Sequence, residues 1–169
     1  MSAEIRDPLV SKIARFLDDI GLPVRLDPIP EATFLPGLHL DHGVIVFDED
    51  RLLYPGDLLH EAGHLALLLP AERAQANGDT GDLGGLEMGA IAWSYAAALH
   101  LGIDPAVVFH PHGYRGGSQA LLENFSHGRY IGVPILEWLG LTVSANRANE
   151  LGVAPYPAMR RWMRATQPA

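Results

Sequence analysis

Apolar side chains recur every three to four positions between residues 7 and 20. On a helix this spacing forms a single apolar stripe, carried here by Leu9, Val10, Ile13, Phe16, Leu17 and Ile20. Gly21 and Pro23 follow directly, and both residue types commonly end helices. The pattern therefore predicts an amphipathic helix at the start of the chain.

Shorter apolar runs in the following part of the chain predict a small β-sheet. Residues 23–30 alternate between apolar and polar or proline positions, which is typical of an edge strand, and residues 33–40 form a second candidate. The clearest strand is 43–47, whose Val-Ile-Val-Phe run is rich in β-branched side chains. The Asp-His-Gly sequence at 41–43 has turn chemistry and predicts a hairpin back to residues 38–40.

Two long apolar segments in the middle of the chain predict helices. The first begins after the Pro-Gly pair at 55–56 and ends before Pro70, and Asp57 can cap or charge its first turn. The second spans residues 86–101 and contains few ionisable side chains. Residues 71–85, between them, are rich in Gly and Asp and predict a polar connector. A calcium-binding loop is the less favoured alternative, because the spacing is not that of an EF-hand.

The last third of the chain carries weaker patterns. Residues 121–125 and 133–141 predict core helices, in which Trp138 is expected to pack, and residues 155–164 predict a short basic helix. With 169 residues, no internal repeat and no dividing linker, the chain is expected to form one domain over residues 1–169. The predicted fold class is α+β, mostly helical, with a small antiparallel sheet beside the first of the two long helices.

Composition and charge limit the classes of partner. The chain is 48% hydrophobic and 19% charged, with a net charge of −8 and scattered basic residues. This balance argues against nucleic acid and anionic membranes as the main partners. Charged side chains throughout residues 4–19 leave no apolar run for a signal peptide, and the apolar stretch 88–103 is interrupted and short for a membrane span. A cytoplasmic protein is therefore expected.

The chain has no cysteine, so a metal site must use His and carboxylate ligands. The sequence His60-Glu61-Ala62-Gly63-His64 offers such ligands. On a helix, His60 and His64 lie one turn apart on the same face and can bind one ion together. Glu61 is close enough to take a proton from a water on that ion, and zinc suits both roles. The alternative is a His pair that only faces solvent.

Glu87 is the expected third ligand. It is the carboxylate of the segment 86–101, and its helix face otherwise carries small and apolar residues that cannot neutralise it. Burying such a group requires a cation, which an ion held by the His pair would supply. The small Ala90 and Gly63 would let the two helices approach closely. The alternative is a carboxylate that faces solvent at a helix N-terminus.

A loop rich in Gly and Pro at 109–117 carries two His, a Tyr and an Arg. Loops with such side chains can supply the donor that stabilises a developing oxyanion. We expect His112 or Tyr114 to face the metal cleft in this role, and an ordinary surface loop is the alternative. His100 and His127 are expected to be structural.

These residues resemble a known class of enzyme. His60-Glu61-x-x-His64 with Glu87 beyond it is similar to the gluzincin type of zinc metallopeptidase, in which a Glu from the next long helix is the third ligand. The order of elements and the HExGH form also resemble the minimal peptidase domain of the bacterial ImmA/IrrE family, over roughly residues 38–101. The resemblance implies a zincin-like fold, Zn²⁺ bound by His60, His64 and Glu87, and Glu61 as general base.

The resemblance also implies a strand beside the cleft to which an extended substrate adds, and residues 44–47 would be that strand. One position departs from the pattern. Thermolysin-like members have an acid four residues after the ligand Glu to orient a ligand His, and Ile91 stands there in this chain. Asp57, Asp82 or a backbone carbonyl must then serve. For the third ligand itself, Asp79 or Asp82 is the alternative to the Glu.

The sequence therefore predicts a zinc-dependent hydrolase of peptide or similar amide bonds. Glu61 would deprotonate the attacking water and pass the proton to the leaving amine. The expected partner is a peptide or protein substrate, and the sequence does not indicate an oligomeric state. One alternative is a domain that binds metal for structure or regulation and acts through a partner. A closed site with four ligands would favour that alternative, and an open position would favour the enzyme. Another alternative is a metal-free interaction domain in which the motif occurs by chance.

Overall fold

The computed structural model describes residues 4–78 and 86–165. Within these ranges the chain forms three short strands and eight α-helices. The strands are Val24–Leu26 (β1), Leu38–Asp41 (β2) and Val44–Phe47 (β3). The helices are Pro8–Asp19 (α1), Asp57–Leu67 (α2), Pro70–Gln75 (α3), Glu87–Leu101 (α4), Pro105–Val108 (α5), Ser118–Ser126 (α6), Val133–Trp138 (α7) and Ala145–Leu151 (α8). The α+β class is confirmed.

The three strands form a mixed sheet in the order β1-β3-β2. The predicted hairpin is confirmed, because β2 and β3 pair antiparallel. His42 and Gly43 between them have φ angles of 48° and 84°, as a two-residue hairpin turn requires. The prediction of a purely antiparallel sheet is wrong, since β1 pairs parallel with β3. Along the chain, β2 follows β1 but lies one strand position away from it. The hairpin then places β3 between the two.

The position of β3 contradicts the expectation that Val44–Phe47 receives an extended substrate. Its backbone is paired with β1 on one side and with β2 on the other. No edge of this strand is left to accept a peptide. The sequence pattern indicated a strand correctly but carried no information on strand order.

The core joins the sheet to α1, α2 and α4. Asp7 caps α1 by accepting hydrogen bonds from the N–H groups of Leu9 and Val10, and Pro8 occupies the first turn. The apolar stripe of α1 is buried as its spacing predicts, with Ile13 and Leu17 fully inaccessible. A separate contact fixes the start of this helix, where the Glu49 carboxylate accepts from the N–H groups of Arg6 and Asp7.

The helices α2 and α4 pack closely at Gly63. A Cβ atom built on this glycine would lie only 2.8 Å from the carbonyl oxygen of Ala90. The expected close approach of the two helices at Gly63 and Ala90 is therefore confirmed. It also explains why glycine stands in the middle of an otherwise good helix, where it is intrinsically unfavourable by about 1 kcal/mol relative to alanine.

Two arginines close the C-terminal end of α2. The final carbonyl groups of a helix lack partners within the helix. Here the Arg73 guanidinium donates to the carbonyls of Leu65 and Leu68, at 2.9 Å each. The Arg164 guanidinium donates to Leu67 O at 3.0 Å, and its backbone N–H donates to the carbonyl of residue 66 at 2.9 Å. Positive charge at this end also suits the helix dipole.

Three predictions about other segments are wrong. Pro70 does end α2, but it also begins α3, so the predicted connector starts with a helix. Proline fits the first turn of a helix because that position needs no N–H. Trp138 is 64% exposed and does not pack in the core. Residues 155–164 form turns and irregular backbone, since their polar groups bond to α2 and to the loop around Leu141.

The structure also bears on membrane insertion. In the part of the chain described, every helix is too short or too polar to cross a membrane.

Candidate metal centre

The site begins with one face of α2. Because residues four apart lie one turn apart, the rings of His60 and His64 meet edge to face, with centroids 4.8 Å apart. Their Nε2 atoms are separated by 3.2 Å. His64 is buried and His60 is half-buried. Both imidazoles thus direct the same nitrogen toward one point.

Glu87, the first residue of α4, reaches that point from the neighbouring helix. One carboxylate oxygen lies 3.3 Å from Nε2 of His60, and the other lies 2.7 Å from Nε2 of His64. Over residues 4–78 and 86–165, these three side chains are the group of potential ligands whose atoms all lie within 4.8 Å of one another. His60, His64 and Glu87 could therefore form a metal-binding site.

The donor types and two of the three spacings fit zinc. Atoms about 2.0–2.1 Å from a tetrahedral zinc ion lie about 3.3 Å from each other. The 3.2 Å between the His60 and His64 nitrogens and the 3.3 Å between His60 and Glu87 are close to that value. The 2.7 Å between His64 and Glu87 is shorter, because these two atoms are hydrogen-bonded to each other. Two imidazoles and one carboxylate are a ligand set of catalytic zinc sites, in which a fourth position holds water or substrate. The Glu87 side chain is 46% exposed, so this group opens to solvent.

The surroundings favour the protonation states that metal ligands need. Burial and the neighbouring His64 lower the pKa of His60 to about 4. At neutral pH its imidazole is therefore uncharged, which is the form that binds metal ions. A hydrogen bond from His64 holds the pKa of Glu87 below its usual value, and the nearby His60 and Arg115 act in the same direction.

Glu61, the predicted general base, also lines this cleft. It follows His60 on α2, which turns it about 100° around the helix axis. Only 1% of the residue is exposed. The structure thus brings the predicted base and the three predicted ligands to one place.

Tyr114 contacts the site through His60. Its hydroxyl lies 3.2 Å from Nδ1 of His60, and the two rings meet edge to face at 5.3 Å. Phe109 packs edge to face against the other side of the tyrosine, also at 5.3 Å. Burial raises the pKa of the Tyr114 hydroxyl, which therefore keeps its proton.

The backbone at Tyr114 is strained. Tyr114 and Arg115 have φ angles of 57° and 51°, in the left-handed region that non-glycine residues rarely adopt. Such residues cost of order 1 kcal/mol each and persist where surrounding contacts fix them. Two such residues in succession mean that contacts of this loop with the rest of the protein offset this cost.

His112 lies on the other side of the same loop. It is exposed, lines the cleft and stacks on Tyr54 with centroids 5.5 Å apart. Both His112 and Tyr114 therefore border the cleft, as the sequence led us to expect. Their role as oxyanion donors stays a prediction. The Tyr114 hydroxyl is bonded to His60, a candidate metal ligand.

A buried acid–histidine pair in this cleft was not predicted. Nε2 of His110 donates to Oδ1 of Asp57 at 2.8 Å, and Tyr54 stacks on the His110 ring at 4.0 Å. Burial raises the pKa of Asp57, although the bond from His110 opposes this shift. Asp57 therefore lies in the first turn of α2, as predicted, but it does not cap the helix, and its described hydrogen bond goes to His110 and not to His60 or His64. One feature of the sequence could have indicated that Asp57 needs a buried partner. This carboxylate stands directly at the start of an apolar helix.

The other proposed acids lie elsewhere. Asp79 and Asp82, the alternatives for the third ligand, lie outside the described residues. The prediction that Asp82 orients one of the two histidines therefore concerns a residue outside this range as well. Nδ1 of His64 is buried and has no hydrogen-bond partner among residues 4–78 and 86–165. The group that orients His64 is thus not among the described contacts.

The centre lies in a cleft of about 1050 Å³. Its polar side chains come mainly from α2, the start of α4 and the loop 110–115. The remaining wall is largely apolar and is formed by Phe34, Leu35, Ile91, Leu121, Phe125 and Ile131. A cleft with a few converging polar groups and an apolar wall is typical of a binding site for a small molecule or a side chain.

Comparison of the chain with models of protein families, with curated proteins and with solved structures gives no match. The resemblance to gluzincin metallopeptidases and to the ImmA/IrrE family therefore remains a prediction from the residues quoted above.

Proposed function

We propose that this chain is a zinc-dependent hydrolase of peptide or similar amide bonds, with a zincin-like arrangement of its site helices. The observation that supports this proposal is the convergence of His60, His64 and Glu87 beside the buried Glu61. Three neutral or anionic ligands and a separate carboxylate in one open cleft are the groups such a reaction requires. A zinc ion bound there supplies a Lewis acid and a coordinated water whose pKa is lowered to about 7.

In this proposal Glu61 moves the proton. Its carboxylate would accept a proton from the attacking water and deliver it to the leaving amine, which is general acid–base catalysis by one group. A buried position suits this work, because a carboxylate that is poorly solvated is a better proton acceptor. The helix fixes Glu61 next to His60, so no loop movement is needed to bring the base to the site.

Tyr114 would hold the ligand His60 in place. When Nε2 of His60 binds the metal, its Nδ1 carries a hydrogen and donates it to the Tyr114 hydroxyl. Groups that fix the tautomer and the ring orientation of a ligand His raise metal affinity. Tyr114 would thus orient His60, and its own hydroxyl hydrogen would still be available for a group in the cleft.

The second candidate function is a metal-binding domain without hydrolysis, which acts through a partner. A closed site with four protein ligands would favour it. The described residues supply three ligands, and one of them is half exposed. This arrangement favours the enzyme over the closed site.

The test begins with the metal content of protein purified without chelator or added metal. We expect about one equivalent of zinc in the wild type and less than a tenth of an equivalent in His64→Ala and Glu87→Ala. Asp57→Asn is a matched control, because Asp57 lies in the same cleft but bonds His110. The zinc-loaded protein is then incubated with a peptide library. Failure to bind zinc, even when zinc is offered, would refute the proposal.

A further inference from the structure

Several main-chain groups at the β2 edge of the sheet are already bonded within the protein. Residues 34–36, just before β2, line the cleft. In β2 itself, the N–H and C=O groups of Leu40 both pair with Gly78 at 2.9 Å, and the N–H of Leu38 donates to Leu35. The Leu35 carbonyl also accepts from the Thr33 hydroxyl at 2.6 Å. Pro36, which lines the cleft, has no N–H to donate.

The opposite edge of the sheet does not replace this surface. The edge strand there is β1, and none of its residues is among the described residues that line the cleft. The central strand β3 is paired on both sides. A substrate that enters the described cleft thus finds little backbone to which it could add as a further strand.

Side-chain surface is available instead, and it begins directly at the candidate metal ligands. Ile91 lies one helical turn beyond Glu87 on α4 and lines the same cleft. From there the wall continues over Leu121 and Phe125 of α6 to Ile131. Ile91 and Phe125 are buried, whereas Leu121 and Ile131 are half-buried and keep apolar surface in contact with the cleft.

We infer that the cleft selects its substrate by one bulky apolar side chain next to the hydrolysed amide, bound against Ile91, Leu121, Phe125 and Ile131, and not by strand addition. This inference rests on the proposed zinc-dependent hydrolase. The substrate class is then a short peptide or amide with an aliphatic or aromatic side chain. Affinity comes from apolar surface that is removed from water on binding. Each buried CH₂ group lowers the dissociation constant about fourfold.

The experiment uses two series of zinc-binding probes on the full-length, zinc-loaded protein. Straight-chain alkyl hydroxamates, from acetohydroxamate to hexanohydroxamate, extend apolar surface from a fixed zinc-binding group. Oligoglycine hydroxamates of one to three residues extend main-chain hydrogen-bonding groups without side chains. Dissociation constants are measured by titration calorimetry. We expect hexanohydroxamate to bind at least tenfold more tightly than acetohydroxamate and the glycine series to change by less than tenfold.

Leu121→Asn and Leu122→Asn form a matched pair of variants. Both leucines are half-buried on α6, but only Leu121 lines the cleft. Hexanohydroxamate is expected to bind more tightly than acetohydroxamate by a certain factor. Leu121→Asn should reduce this affinity ratio at least threefold, whereas Leu122→Asn should leave it unchanged. We expect both variants to match the wild type in zinc stoichiometry and in affinity for acetohydroxamate. This match would show that the fold and the metal centre are intact.

The possible failures are distinguishable. If acetohydroxamate does not bind the zinc-loaded protein, the centre has no accessible position, and the proposed hydrolase fails together with this inference. A second outcome is that acetohydroxamate binds while affinity rises less than tenfold along the alkyl series, or more than tenfold along the glycine series. Either result would refute only the apolar selection. Equal effects of the two asparagine variants would also refute it.

Discussion

Tyr114 and His60 are joined by a hydrogen bond on the side of the imidazole that faces away from the other candidate ligands. The Tyr114 hydroxyl lies 3.2 Å from Nδ1, whereas Nε2 of the same ring lies 3.3 Å from Glu87. The tyrosine therefore contacts the candidate metal centre through His60. Its own backbone has a left-handed conformation, with φ of 57°, which is costly for a residue other than glycine.

Removing the Tyr114 hydroxyl should weaken metal binding. We expect Tyr114→Phe to raise the dissociation constant for zinc about tenfold, because loss of a group that orients a ligand His costs 10–100-fold in affinity. Competition with a chromophoric chelator measures this constant. Tyr54→Phe is the control, since Tyr54 lines the same cleft but stacks on His110. A similar loss in both variants would contradict a specific role for the Tyr114–His60 bond.

The role of Glu61 separates metal binding from turnover. We expect Glu61→Gln to keep about one equivalent of zinc and to lower kcat by about 10²–10⁴-fold, because the amide cannot accept a proton. His60→Ala should lose both zinc and turnover. Zinc content and hydrolysis of a library-derived peptide are measured on the same preparations. Full activity in Glu61→Gln would show that another group is the base.

The contact at Gly63 can be tested with one methyl group. In an open helix, Gly→Ala would stabilise by about 1 kcal/mol. Here the new Cβ would lie 2.8 Å from the backbone carbonyl of Ala90, which cannot move independently of α4. We expect Gly63→Ala to lower the free energy of unfolding by about 1–3 kcal/mol, measured by urea denaturation of the metal-free protein. An increase in stability would mean that the two helices are less closely packed than described.

Glu49 should make the stability of the fold sensitive to acid. Hydrogen bonds from the N–H groups of Asp7 and Arg6 and from the Arg6 side chain lower the pKa of the Glu49 carboxyl. The stabilisation is therefore complete above the unfolded value, about 4.3, and is lost as pH falls through the lower folded value. We expect the stability difference between wild type and Glu49→Gln to be largest at pH 7 and to shrink between about pH 5 and pH 3.

This pH dependence is measured by denaturant unfolding at a series of pH values. Glu31→Gln controls for the loss of one negative charge, because Glu31 is exposed and the described contacts give it no hydrogen bond. A difference for Glu49→Gln that stays constant with pH would show that the carboxylate is not preferentially stabilised in the folded state.

Features specified by neighbouring residues could be predicted from the sequence. The hairpin follows from the turn chemistry of His42 and Gly43, and α2 and α4 follow from long apolar segments with breakers at their ends. The convergence of the His pair with Glu87 could be expected from a carboxylate on an otherwise apolar helix face, although the Glu87 side chain is 46% exposed and not buried. Each of these inferences uses spacing within one element or the chemistry of one side chain.

Features that depend on pairing between distant segments could not be predicted. The parallel pairing of β1 depends on where the chain places β2, which the apolar pattern of a short strand does not encode. The Asp57–His110 bond joins residues 53 positions apart, and neither segment indicates the other. The exposure of Trp138 depends on how α7 lies on α4, and its amphipathic pattern was too short to fix that orientation.

The contact of Arg164 with the end of α2 can form only late in synthesis of the chain. The Arg164 guanidinium bonds a carbonyl at the end of the site helix that lies 97 residues earlier in the chain. Synthesis on the ribosome proceeds from the N-terminus, so both histidines and Glu87 emerge well before this residue. The nascent chain thus carries His60, His64 and Glu87 before the Arg164 contact at the end of α2 can form. Of the two arginines that close this helix, Arg73 is available early in synthesis and Arg164 only later.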